Sequence, residues 1–456
     1  MEPSNCPIPP KPVSRPEKVS LFRRIRMARK NIFSAQPERL YGAWMAELKT
    51  PFYTSFFINQ PALVDMILVD RPRDFPKSPI IQKTLAALLG QSVFVTNGTL
   101  WQSQRRIIDP AFEGGRLREV FPAMVAAGGE ALMRLADGGT VEMEAQSTHL
   151  AADVIFRTLF STPISDVEAA AVYRDFQTYQ RSQPLMTWPD LLRMPTWVPR
   201  YRPRRARLAA SAIRARLHSL IHLRASQIAS HAAPQDLATK IMTTPDPETG
   251  KCFSQAEMVD QVAVFFLAGH ETSASALAWA LYLLALDQGV QNRLFSEVQS
   301  VLARQKPAFS DIGKLAFCRD IFRETLRLYP PVPMMVRETT KTEIFRDRPA
   351  ETGSLCIISP WHLQRHQRIW ADPDAFDPDR WRRDENRACM RDAYLPFSKG
   401  ARVCPGAGFA MIEGVLMLAM LVRAFKFETL PDKVPVPVTH LTVRSENGIW
   451  LKLTRR

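Results

Sequence analysis

The run Phe397-Ser398-Lys399-Gly400-Ala401-Arg402-Val403-Cys404-Pro405-Gly406 concentrates more chemistry than any other stretch of this 456-residue chain. Cys404, held as a thiolate, is a soft, strongly donating ligand for a transition metal. Gly400 and Gly406 free the backbone for a tight loop and for close approach to a flat ligand. Arg402, two residues before the cysteine, offers a planar fork that suits a carboxylate. Residues 410–422 then read as an apolar helix, whose N-terminal N–H groups and positive dipole end favour an anionic sulfur. A lone intracellular cysteine is more often a buried structural residue. That role, however, requires neither the glycines nor the arginine at this spacing.

A second candidate sits within the apolar residues 262–286, where Ala268-Gly269-His270-Glu271-Thr272 sets a hydroxyl beside a carboxylate in mid-helix. A threonine there ordinarily bonds back to the carbonyl four residues earlier. The adjacent acid adds a function, because Glu271 can link the Thr272 hydroxyl to solvent protons. Gly269 is expected to let a bulky planar ligand approach the helix, and His270 to be a packed or surface histidine. Trp101 and Arg105, four apart, share a helix face, and an arginine suits a planar carboxylate. Arg337, after the apolar residues 332–336, is a further candidate of that kind. Glu324 and Arg327 can pair one turn apart. Such pairs are common, but here Leu328-Tyr329-Pro330-Pro331 ends the helix and Phe376-Asp377-Pro378-Asp379-Arg380-Trp381 follows.

In this order and spacing the motifs resemble the cytochrome P450 family, from Trp101 through the acid–threonine pair, the Glu-x-x-Arg turn and the Arg380 run to the Cys404 loop. The resemblance implies a single domain, mainly α with a small β region, binding haem b between the long central helix and the cysteine loop with its following helix. It implies Cys404 as the axial iron ligand, with Phe397, Gly400 and Gly406 shaping the loop. Trp101, Arg105, Arg337 and Arg402 would hold the propionates. Glu271 and Thr272 would deliver protons, and Glu324, Arg327 and Arg380 would brace the loop without doing chemistry. One departure is Gln364, where the family commonly has histidine.

The bulk properties agree with a soluble globular protein. At 46% hydrophobic and 23% charged residues, the chain can bury a large core. Six cysteines lie scattered, without a Cys-x-x-Cys pair, a pattern of reduced thiols in a cytoplasmic protein. The net charge of +15 admits nucleic acid, an anionic membrane or an acidic protein as partner. Paired Cys/His fingers and aromatic RNA-binding runs are both missing, so no nucleic acid is expected. His270, Glu271 and several serines break the longest apolar stretch, so no membrane span is expected either.

Residues 1–20 read as a flexible proline-rich segment and 21–456 as the catalytic domain, opening with a basic helix at 21–30. Strands are expected near 52–58, a helix from Pro61, and mostly helices over 101–330. Residues 182–203, with five prolines, two tryptophans and three leucines, have the composition of an apolar lid. The arginines that follow (Arg204, Arg205, Arg207, Arg214, Arg216) read as one exposed helix face. The substrate pocket is expected to draw on Ile80, Leu85, Leu88, Phe94, the segment 176–197, Val264, Phe265, Ala268, Met334 and Met335.

Those linings are apolar, which points to a hydrophobic substrate, a terpenoid (possible diterpenoids included) ahead of a fatty acid. The resemblance implies a monooxygenase using O2, and the chain carries no flavin or iron–sulfur cassette of its own. A separate electron donor is therefore expected, an acidic ferredoxin with its reductase, meeting Arg106, Lys399 and Arg423 on a monomeric enzyme. Two other readings are a peroxide-using haem-thiolate enzyme and a haem-based sensor. The Glu271–Thr272 pair speaks against both, because neither needs a proton relay.

Overall fold

The computed structural model describes residues 6–50, 52–182, 194, 198, 203–303, 305–439 and 441–456. The helix Gln255–Leu286 runs through the middle of the molecule and is buried along nearly all of its 32 residues. It starts seven residues before the expected apolar stretch because Ser254 and Glu257 close a capping box. The Ser254 hydroxyl accepts from the Glu257 N–H at 3.3 Å, and the Glu257 carboxylate accepts from the Ser254 N–H at 2.9 Å. That reciprocal pair satisfies two otherwise orphaned groups at the helix end.

Helices Met143–Phe160, Arg204–Ala229, Ala316–Leu328 and Ala407–Ala424 all pack on this central helix. Small residues set the approach. A Cβ on Gly269 would lie 2.5 Å from Ile155 Cδ1, so this glycine admits the neighbouring helix Met143–Phe160 rather than a planar ligand. That corrects the role expected of Gly269. Among the described residues one helix, Ala407–Ala424, is long and apolar enough to cross a membrane, and most of it is buried in the core.

The largest sheet among the described residues has four strands. Met45–Lys49 pairs antiparallel with Thr54–Ile58, which runs parallel to Leu355–Ile358, and this in turn pairs antiparallel with Met335–Glu338. The strand expected near 52–58 and the helix from Pro61 are both present. Register sets Arg337 opposite Cys356, and an isolated bridge joins Arg337 to Lys77. The proline-rich lead-in is tied down over part of its length. The Phe376 N–H donates to the Pro7 carbonyl at 3.0 Å, the Tyr329 hydroxyl donates to the Pro10 carbonyl at 2.7 Å, and Lys11 pairs with Asp374 at 2.6 Å. Prolines have no N–H to satisfy, but their carbonyls remain good acceptors. The expected lid at 182–203 lies almost entirely outside the described residues.

The proximal framework converges on Glu324, which is fully buried. Its carboxylate accepts from Arg327 Nε at 2.9 Å and Nη2 at 2.8 Å, and from Arg380 Nε at 3.0 Å. It also accepts from the Asp377 N–H at 3.1 Å and Trp381 Nε1 at 3.2 Å. The other guanidinium hydrogens of Arg327 go to the carbonyls of Gln364, Pro373 and Ala375, and Arg380 also donates to those of Ala371 and Asp372. Burial alone would push Glu324 upward, but the two arginines bring it below its usual carboxylate range.

Desolvating an ion costs several kcal/mol. Charge-assisted bonds contribute about 1.5–3 kcal/mol each, so a full donor set can offset that cost whereas a partial one cannot. Gln364 extends the brace, donating to the Leu326 and Arg327 carbonyls at 2.8 and 3.0 Å while accepting from the Leu395 N–H at 2.7 Å. It thus ties the end of the Glu324 helix to the segment leading into the cysteine loop. Glu324→Gln should lower unfolding stability by about 3–5 kcal/mol in chemical denaturation. A loss below about 1 kcal/mol, the scale of an exposed ion pair, would contradict the bracing role.

Candidate active site

Cys404 sits between the short turn Gly400–Arg402 and the helix Ala407–Ala424. Its N–H donates to the Phe397 carbonyl at 2.9 Å, closing the loop. Gly400 has φ +68°, and a Cβ there would lie 2.2 Å from the Leu68 carbonyl oxygen, so the loop rests directly on backbone. Only glycine fits such a position without strain. Gly406 is different. A Cβ there would lie 3.9 Å from the Cys404 sulfur and meet nothing closer, so the protein's own packing does not demand this glycine. Its value is the open space kept beside the sulfur. Cys404 is accessible, yet surrounding protein pushes its thiol above the ordinary range, while the Gly406 N–H and Arg105 pull the other way.

The central helix carries a stripe that the core leaves uncovered. Phe265 and Thr272 are half-buried and Ala268 is exposed, at spacings of three and four on a helix otherwise packed on every side. An exposed alanine in the middle of such a helix marks an internal opening. Phe112 meets Phe265 edge-on, with ring centroids 5.7 Å apart. The Thr272 hydroxyl donates to the Ala268 carbonyl at 2.6 Å, leaving its oxygen as an acceptor. Glu271 is buried and turns to Arg444, whose Nη2 donates to its Oε1 at 3.0 Å, while its Oε2 has no partner among the described residues. His270 is packed as expected. It is fully buried between Phe266 and Phe176, its Nδ1 lies 2.6 Å from the Phe266 carbonyl, and burial lowers its pKa to about 4.

The pocket lining differs from expectation at Leu88 and Phe176. Both are fully buried in the core, Phe176 against Phe266. Of the expected basic docking residues, Lys399 pairs with Asp65 at 2.6 Å and Arg106 with Asp246 at 2.6 Å, and Arg423 donates to the Gln305 carbonyl at 2.9 Å. Two of the three charges are therefore neutralised within the protein.

Trp101, Arg105, Arg337 and Arg402 form a cationic cradle, together with Lys77, which sequence reasoning missed. Arg402 lies over the Trp101 ring at 4.5 Å and Arg105 at 5.9 Å. Arg105 Nη1 donates to the Val403 carbonyl of the cysteine loop at 2.7 Å. Asn97, at the start of the Trp101 helix, grips the Lys77 backbone on both sides, at 3.0 and 3.1 Å. The charges work against one another. Burial and Arg402 bring Arg337 down to about 10, and burial with Arg402, Arg337 and Arg105 holds Lys77 far below the usual lysine range. Arg402 Nη1 is buried without a partner among the described residues. Among the described residues Asp109, 2.7 Å from Arg105, is the only carboxylate paired within this group.

Clustered, under-neutralised cations beside an accessible thiol fit a flat metal macrocycle with carboxylates on its edge. The comparisons with known proteins agree. The cytochrome P450 family profile matches residues 9–453. The chain belongs to the cytochrome P450 family. Members bind a haem-thiolate cofactor, and this one is an oxidoreductase of the monooxygenase class.

Cyclooctat-9-en-7-ol 5-monooxygenase of Streptomyces melanosporofaciens is 31% identical over 83% of this cytochrome P450 and 81% of the relative. The Arabidopsis thaliana protein LUTEIN DEFICIENT 5, chloroplastic, is 30% identical over 88% of this chain and 70% of its own. Pentalenene oxygenase of Streptomyces avermitilis is 28% identical over 87% of each chain. In three dimensions, the crystal structure of the cytochrome P450DA heme domain superposes with TM-score 0.80 over 98% of this chain and 97% of that one, at 22% identity.

Glu413 also escaped the sequence reading. It is buried on the helix that follows Cys404, accepts from Ser273 Oγ at 2.5 Å, and is pushed up to about 8 by burial. If Lys77 belongs to the cradle, Lys77→Met should speed haem transfer to an apo-globin acceptor several-fold. Protein stripped of haem should become more stable to heat, because one of several repelling charges is gone. Unchanged haem transfer would remove Lys77 from the cradle.

Proposed function

We propose that this cytochrome P450 inserts one atom of O2 into a hydrophobic substrate, a terpenoid ahead of a fatty acid, reducing the other atom to water. Cys404 would hold the iron of haem b, and electrons would come from a separate acidic ferredoxin and its reductase. The observation that carries this reading is the open stripe Phe265, Ala268 and Thr272 on an otherwise buried helix that packs against the Cys404 helix.

When bound, the haem supplies electron transfer and O2 activation, with electron density pushed from the thiolate. The protein's share is positioning and proton control. Trp101, Arg105, Arg337, Arg402 and Lys77 would hold the haem carboxylates, and Phe397, Gly400 and Gly406 would shape the loop. The Thr272 oxygen, its own proton committed to Ala268, would be free to accept a hydrogen bond from water and so to hold a proton carrier. Glu271, raised above its ordinary range by burial, is an acid able to refill that carrier.

Phe112, Phe265, Met334 and Met335 are half-buried apolar side chains, and in this reading they would line a space that favours burial of a hydrocarbon. The terpenoid assignment is further supported by relatives named for cyclooctat-9-en-7-ol and pentalenene. The net charge of +15 supports an acidic partner. The reading includes a monomeric, cytoplasmic enzyme.

Two outcomes test it. Titration with sesqui- and diterpenes should shift the haem absorption as water leaves the iron, with fatty acids giving smaller shifts. The assignment fails if no hydrophobic compound does so. Thr272→Ala should keep O2 consumption while at least half of the electrons appear as free hydrogen peroxide. Unchanged product yield would rule out the threonine's role.

A further inference from the structure

Glu271 does not stand alone with Arg444. Arg444 Nη1 also lies 3.6 Å from Oε1 of Glu144, and Glu144 Oε2 accepts from the Ser445 N–H at 3.3 Å. Glu144 is 8% exposed and Glu271 3%, so two buried carboxylates share one guanidinium. The sharing is held in place. Arg444 belongs to the strand Val443–Ser445, and the neighbouring Val443 carbonyl accepts from Ser275 Oγ at 2.5 Å and Trp279 Nε1 at 3.4 Å. Both donors sit on the central helix, so the arginine cannot drift from Glu271 as a free surface chain would.

The other charged neighbours are accounted for. Glu142 spends its carboxylate on the N–H groups of Glu144, Ala145 and Ile449, and adds negative charge beside Glu144. Tyr173 and His270 also feel Arg444, and burial keeps both uncharged near neutrality. Two carboxylates beside one cation leave a buried net negative charge, so the pair retains one proton up to higher pH than a free carboxylate would.

We propose that Glu144 is a positioning residue for proton delivery, competing with Glu271 for Arg444 and so deciding whether Glu271 is locked in its ion pair or free to serve Thr272. When Glu144 is protonated, Arg444 is committed to Glu271 and keeps it ionised. When Glu144 ionises, Arg444 is divided, the proton affinity of Glu271 rises, and its Oε2, without a partner among the described residues, can take the proton. Burial, partly offset by Arg444, pushes Glu144 up to about 7, which sets the switch in the working range.

This proposal rests on the oxygenase reading, and one assay separates the two. Turnover and product per O2 are measured against pH in holoenzyme with its electron donor and an accepted substrate. Wild type should gain several-fold in coupled turnover as pH rises through about 7. Glu144→Gln should stay low and flat across the same range, with an enlarged solvent isotope effect. Arg444→Gln should be flat and high, since Glu271 is never locked. A wild-type profile without a transition there, or a Glu144→Gln profile identical to wild type, overturns the proposal. The wild-type curve decides even if a variant fails to fold. Should Thr272→Ala leave coupling intact in the same assay, the oxygenase reading itself has failed.

Discussion

The carboxylate of Glu324 is the interaction on which the rest of this structure depends. One buried anion gathers donors from Arg327, Arg380, Trp381 and the Asp377 backbone. The two guanidinium groups then spread to the carbonyls of Gln364, Ala371, Asp372, Pro373 and Ala375. Those carbonyls belong to irregular chain with no helix or sheet ladder of its own to satisfy it. The brace therefore replaces secondary structure along the approach to Cys404. Gln364 completes it by joining that chain to the Leu395 N–H just before the cysteine loop.

Against this neutralised proximal side, the facing groups are left electrically unfinished. Lys77, Arg105, Arg337 and Arg402 repel one another with too few carboxylates between them. Glu271, Glu144 and Glu413 lie buried, each pushed toward its neutral form. A fold stabilises such imbalance only where something else supplies the missing charge or uses the displaced proton. An edge-carboxylated macrocycle meets the first need, and proton delivery to the Thr272 site meets the second.

Legibility in the sequence followed the range of each interaction. The Cys404 loop, the Glu271–Thr272 pair, the Trp101–Arg105 face and the Glu324–Arg327 turn are local patterns, and spacing alone indicates which side chains share a surface. The start of the central helix was missed, because the capping pair Ser254 and Glu257 lies ahead of the apolar stretch that marked the helix. Lys77, Glu144, Arg444 and Glu413 were not legible. Each is an ordinary charged residue until tertiary contacts set Lys77 beside Arg337, Arg444 between two acids, and Glu413 under Ser273. Gly269 was misread for a related reason. Its small size signals a close approach, but only packing says that Ile155, not a ligand, makes it. The docking charges Lys399 and Arg106 lose their availability to Asp65 and Asp246, acids far away in the chain.

The central claim is that this framework presents Cys404 as a thiolate to haem iron. The ferrous–carbon monoxide difference spectrum tests it most directly. The purified protein should show the strongly red-shifted Soret band of thiolate ligation, and Cys404→His should lose it while still binding haem. A wild-type spectrum typical of imidazole ligation, or a red-shifted band surviving in Cys404→His, would contradict the account.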